Sequence, residues 1–86
     1  MTYNGWTNWD TCESYLAITN KDEKGYFFIL KQLKKTEYLG KRSIKAYLKQ
    51  HNRDLKKEGL ADLKIDLDKV NIDEVYEALK EDLEVE

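Results

Sequence analysis

Proline is absent from this chain, and cysteine and histidine occur once each, at Cys12 and His51. Without proline no turn is forced and no helix is kinked, so glycine, caps and hydrophobic pattern set the boundaries. One cysteine excludes an internal disulfide and suits a reducing compartment, so a cytoplasmic location is expected. One histidine and one cysteine are also too few for a standard zinc site. Gly5, Gly25, Gly40 and Gly59 stand alone, so no glycine-rich loop is available to cradle a phosphate. Asp62, Asp66, Asp68 and Asp73 lack the glycine and the twelfth-position glutamate of a calcium loop. No cofactor and no metal are therefore expected. No stretch nears the ~18 apolar residues of a membrane span. The start, MTYNGWTNWD, has no basic segment followed by an apolar run, so it does not read as a secretory signal.

What is present is charge and apolar content together. Charged residues make up 37% of the 86 and hydrophobic residues 41%, enough of the latter to fold despite the former. The length fits one domain, 1–86, with one modest core. The net charge of −2 hides a strong segregation. Residues 24–57 carry eleven Lys and Arg against Glu37 and Asp54, a block of +9. Residues 58–86 carry eleven acids against Lys64, Lys69 and Lys80, a block of −8. Such segregation shapes the surface potential and hence the partners.

The apolar spacing predicts four helices, near 8–19, 23–35, 41–57 and 72–83. Thr7 and Asp10 read as the ends of a capping box opening the first, in which Trp9, Cys12, Leu16 and Thr19 recur at helical spacing with Ala17 and Ile18 beside them. Asn20 to Glu23 is a polar break. Tyr26, Ile29, Leu30 and Leu33 mark the inner face of the second helix, and Thr36 to Gly40 reads as a connection closed by glycine. In the third, Ile44, Tyr47, Leu48, His51 and Leu55 fall within about 100° of arc, and Gly59 is placed to cap the end. Leu60, Leu63 and Leu67 suggest a short helical segment, although Lys64 to Leu67 reads equally well as a strand. Asn71 to Glu74 forms a second capping box, with Val70 and Val75 as its hydrophobic staple. Ile72, Val75, Tyr76, Leu79 and Leu83 follow as one apolar face. The expected class is all-α, a small bundle of four amphipathic helices, with a minor two-stranded element near 62–68 as the competing reading.

Catalysis finds little support, and a non-enzyme is expected. His51 and Cys12 both sit on apolar stripes, where structural roles outweigh base or nucleophile chemistry. Trp9 shares a face with Leu16 and is expected in the core. Trp6 precedes the cap and is expected to pack over the helix start rather than to stack on a base. Two charged faces carry the functional case. Arg42, Lys45, Lys49, Arg53 and Lys56 lie within about 80° of arc on the third helix, and such a row can track a phosphate backbone. No aromatic interleaves with these cations on the exposed side, which weighs against a version that stacks single-stranded bases. Asp73, Glu74, Glu77, Glu81 and Glu84 occupy about 100° of the last helix, reinforced by Asp62, Asp66 and Asp68, and can imitate the charge row of a nucleic acid. The bland alternative is that the two faces are solvated or pair with each other.

The residues Asn4-Gly5-Trp6-Thr7-Asn8-Trp9-Asp10-Thr11 resemble the signature of an uncharacterised family of small proteins from bacteriophages, plasmids and other mobile elements. Asn20-Lys21-Asp22-Glu23-Lys24-Gly25 is similar to that family's turn after the first helix, and Val70-Asn71-Ile72-Asp73-Glu74-Val75 to its last helix start. Cys12 and Ile72 stand where the family has tryptophan. The resemblance implies a mobile-element accessory protein and no mechanism. Joined to the charge pattern, it leads to an expected protein that binds and modulates or inhibits a host protein through the acidic face, as a DNA mimic. The target class is a nucleic-acid-handling or defence nuclease, as for anti-restriction or anti-CRISPR proteins. The alternative is a small nucleic-acid-binding accessory protein using the basic third helix. A third reading is self-association of the two oppositely charged blocks.

Overall fold

Asn8, rather than Thr7, caps the first helix: its side-chain oxygen accepts the Thr11 N–H at 2.8 Å. The computed structural model describes residues 5–20 and 23–85. Tyr3, Asn4 and the Lys21–Asp22 part of the polar break lie outside the described residues. The elements are α1 (Trp9–Asn20), α2 (Glu23–Lys35), α3 (Glu37–Lys57), a 3₁₀ turn (Ala61–Leu63) and α4 (Ile72–Val85). The all-α bundle expected from the sequence is the fold.

With Asn8 as the cap, the polar residues around it are released to hold the far end of the chain. Asn8 donates through its amide to the Lys69 carbonyl at 2.8 Å, and the Asp10 carboxylate accepts the Asp66 N–H at 2.8 Å. The Thr11 hydroxyl accepts the Asn71 N–H at 2.9 Å while donating to Asn8 at 2.8 Å. Thr7 donates its N–H to the Glu74 carboxylate at 2.9 Å. The α4 cap is therefore half of the expected box: Asn71 accepts the Glu74 N–H at 3.1 Å, but Glu74 reaches back to Thr7. Residues 7–11 and 66–74 thus meet in one hydrogen-bonded clip. Thr11 has no exposed surface. Thr11→Val keeps its shape and removes the acceptor, so it should cost about 1–2 kcal/mol. That corresponds to a melting temperature about 5–15 °C lower for a domain of this size, with Thr11→Ser close to wild type. Equal melting of Val and wild type would show that the clip contributes nothing.

The inner face of α1 only partly matches the apolar spacing: Cys12, Ala17 and Ile18 are buried as read, but Trp9 and Leu16 are not. Thr11, Cys12, Ser14, Ala17 and Ile18 are buried, whereas Trp9 and Leu16 are 37% and 40% exposed. Ser14 satisfies its hydroxyl on the Asp10 carbonyl at 2.7 Å, so two small polar residues enter the interior without an orphaned group. Their small size lets α1 sit close, which larger apolar residues at the same positions would prevent. Cys12 is buried and Ile72 packs against the core.

Thr36 to Gly40 is not a connection. Thr36 alone separates α2 from α3, capping α3 by accepting the Leu39 N–H at 3.0 Å. Gly40 lies in the first turn of α3 because of helix contact: a Cβ there would sit 2.5 Å from Leu33 Cδ2 and 3.2 Å from Leu33 Cα. At the other end of α3 the glycine reading holds. Gly59 has φ 79°, its N–H reaches the Lys56 carbonyl at 3.2 Å, and the Leu60 N–H reaches that of Leu55 at 2.8 Å. This is the left-handed Schellman ending.

The two-stranded element near 62–68 does not form, and no strand occurs among the described residues. Ile65 instead pairs with a side chain. Asn52 on α3 donates to the Ile65 carbonyl at 2.8 Å and accepts its N–H at 2.9 Å, offering the backbone what a neighbouring strand would. Ile65 is thereby buried, while the short helical segment forms as the 3₁₀ turn Ala61–Leu63, with Leu60 and Leu63 left 40% and 50% exposed. The core gathers Ala17 and Ile18 of α1, Ile29, Leu30 and Leu33 of α2, Ile44 and Leu48 of α3, and Val75, Tyr76 and Leu79 of α4. No helix among the described residues is long and apolar enough to cross a membrane.

Candidate functional site

The residue types that most often carry catalysis are taken up by structure. Cys12 is 5% exposed, and burial, followed by the nearby Glu13 charge, pushes its thiol pKa up and away from the reactive thiolate. His51 is half-buried on α3 and already engaged with a neighbour. Among the described residues no three His, Cys, Asp or Glu side chains converge as a metal ion would require. Tyr15 donates its hydroxyl to Asp82 at 2.6 Å; burial first, and that carboxylate second, raise its pKa far above the ordinary tyrosine range.

The acidic row of α4 divides in two. Asp73 pairs with Lys41 at 2.7 Å, and Glu74 holds Thr7, so both serve the fold. The Lys41 ammonium lies between Asp73 and Glu37, and these two hydrogen bonds, Asp73 first, hold its pKa high. Glu77, Glu81 and Glu84 remain exposed and outside any ion pair among the described residues. Glu77 and Glu81 border a shallow groove whose other wall is Trp6, which packs on Tyr15 with ring centroids 5.1 Å apart. Of the flanking acids, Asp66 is bound to the Asp68 N–H at 3.1 Å, and Asp62 and Asp68 are exposed.

The basic row of α3 is intact. Arg42, Lys45, Lys49, Arg53 and Lys56 are all exposed, and none forms an ion pair among the described residues. Mutual pairing of the two charged faces does not occur: the single ion pair joining α3 to α4 among the described residues is Lys41–Asp73. Lys41 belongs to neither row's outer face, and the pair forms the seam between them.

Aromatic rings do border these cations, contrary to the sequence reading: Tyr38 joins the row because α3 starts at Glu37 rather than near residue 41, and Phe28 comes from α2. Packing of α2 on α3 brings Phe28 to the edge of an apolar depression that also contains Ala46, Tyr47 and Arg42. Arg42 is shared with a second depression walled by Tyr38 and Lys45. Lys45 is in turn shared with a third, walled by Lys49, Leu67 and Ile72. Phe28 is 57% exposed and Tyr38 69%. The exposure of Phe28 is legible in the sequence, since it falls opposite the Ile29/Leu33 face of α2, but its neighbours on α3 are set by tertiary packing. Ile72 lines the basic side of α4 and Glu77 and Glu81 the acidic groove, so the two surfaces flank the same helix on different sides. No protein-family model, curated protein or solved structure matches this chain, so the functional reading rests on its own residues.

Proposed function

We propose that this protein is a non-catalytic nucleic-acid-binding module, an accessory protein of a mobile element, working through the outer face of α3. The observation that carries the reading is that Arg42, Lys45, Lys49, Arg53 and Lys56 are all exposed with no internal counter-charge among the described residues. A row of cations already neutralised within the fold has little to offer a phosphate; this row can still release counterions from one. Among the described residues the acidic tail does not neutralise it, because the only ion pair between α3 and α4 there is Lys41–Asp73.

A second reading stays in view because of the Trp6 groove. Glu77 and Glu81 beside an indole suit a Lys or Arg side chain of a host protein, with the ring face and the carboxylates both favouring the cation. On that reading the protein inhibits a basic-surfaced nuclease by mimicking its nucleic acid. It ranks second because Asp73 and Glu74, two of the five acids, are spent on the fold.

Titration of labelled oligonucleotides at several salt concentrations separates the readings. Three to five phosphate contacts should give a log–log salt slope of about −2 to −4, at about 0.7–0.9 per contact. Absence of binding at about 20 mM salt, where such contacts are strongest, would remove the first reading and leave the second.

A further inference from the structure

Building on the reading of α3 as the nucleic-acid surface, we infer that it takes single strands in preference to duplex, with bases seated against Phe28 and Tyr38 and the backbone drawn along Arg42, Lys45 and Lys49. A duplex asks only for a cationic face, because its bases are stacked inside. This surface offers more. Its cations stand where adjoining depressions meet, Arg42 between the Phe28 and Tyr38 hollows and Lys45 between the Tyr38 hollow and the next. Each of the first two hollows has an aromatic ring at its edge that the core does not need, since Phe28 and Tyr38 are more than half exposed. Rings interleaved with cations are the arrangement that binds unpaired bases with little regard to sequence.

The dimensions agree. At 1.5 Å of rise per residue, Arg42 to Lys49 spans about 10 Å of helix. That is about three stacked nucleotides at 3.4 Å each along one strand. Acidic residues limit the track without closing it. Glu37 walls the Tyr38 hollow but is bound to Lys41 at 3.0 Å, and Asp68 walls the far hollow. The strand's contacts therefore concentrate between Phe28 and Lys45, and the acidic groove of α4 lies on the other flank.

The test is fluorescence anisotropy with an oligo(dT) of about 12 nucleotides and a duplex of the same length, both within the range of single-strand site sizes. The single strand should bind about tenfold more tightly than the duplex, from one or two stacked bases. Phe28→Ala and Tyr38→Ala should each weaken the single strand about tenfold and leave the duplex unchanged. Tyr38→Phe, which keeps the ring, should retain binding. Phe28→Leu, which keeps apolar bulk without a ring, should behave like Phe28→Ala, and thermal melting of each variant separates unfolding from weakened stacking. Equal binding of both oligonucleotides with neutral ring variants would overturn the single-strand inference while leaving a backbone-binding module. Binding of neither would overturn both.

Discussion

Leu79→Ala is expected to lower the stability of the folded state by about 2–5 kcal/mol. Leu79 has no exposed surface and lies in the middle of α4, the helix packed against α1, α2 and α3. Three helices pack on α4 and Leu79 belongs to the core cluster they share, so its truncation is expected to leave a cavity that relaxes only in part. The loss combines the transfer free energy of the removed methyl groups with unfilled space. Domains of this size hold only about 5–15 kcal/mol in reserve, so a large share of the stability is at stake. Urea denaturation should show the midpoint falling with an unchanged slope, since the surface exposed on unfolding is nearly the same. Lys80→Ala, one residue along on the exposed side, should change stability by less than about 0.5 kcal/mol. A Leu79→Ala effect as small as that of Lys80→Ala would mean that α4 buries a different face.

That face is legible in the sequence alone, because Val75, Tyr76, Leu79 and Leu83 repeat at helical spacing with no competing pattern. So are the stripe of α3 and the glycine ending it. Legibility fails where a residue answers to something distant in sequence. Gly40 looks like a break until Leu33 is placed against it. Ile65 reads as a strand residue because its backbone does need a pairing partner, but the partner is the Asn52 amide, 13 residues earlier in the chain. Apolar spacing finds Cys12, Ala17 and Ile18 of α1 but turns Trp9 and Leu16 inward as well, because these outweigh Thr11 and Ser14 on any hydrophobicity count. The deciding quantity is the hydrogen bond each small residue makes. The same limit applies to the candidate site. All five cations of α3 can be assigned to one face from their spacing, whereas Tyr38 joins them only because α3 begins at Glu37, and Phe28 only because α2 packs on α3. Whether the acidic and basic faces neutralise one another is likewise undecidable from residue order, and the answer turns on one ion pair, Lys41–Asp73.

The second large effect concerns these faces. Changing Lys45, Lys49 and Arg53 together to Gln removes three charges from exposed positions and keeps good helix formers on α3. Stability should hardly move, since none of the three has an internal ionic partner among the described residues. Nucleic-acid binding should fall about 100-fold at low salt, at about 1 kcal/mol for each charge-assisted hydrogen bond removed. The magnitude of the salt slope should drop by about 2, because three fewer cations remain to displace counterions. Glu77, Glu81 and Glu84 are the proper acidic comparison, as Asp73 and Glu74 are tied into the fold. Their triple change to Gln should leave binding equal or tighter, since it removes repulsion from the opposite flank.

The most direct measurement is the anisotropy titration of one labelled single strand with the wild-type protein and these two triple variants, repeated across salt concentrations. The expected result is binding abolished or strongly weakened in the basic triple, retained or strengthened in the acidic triple, and a shallower salt slope only in the former. Wild-type affinity and slope in the basic triple would contradict the assignment of α3 as the working surface.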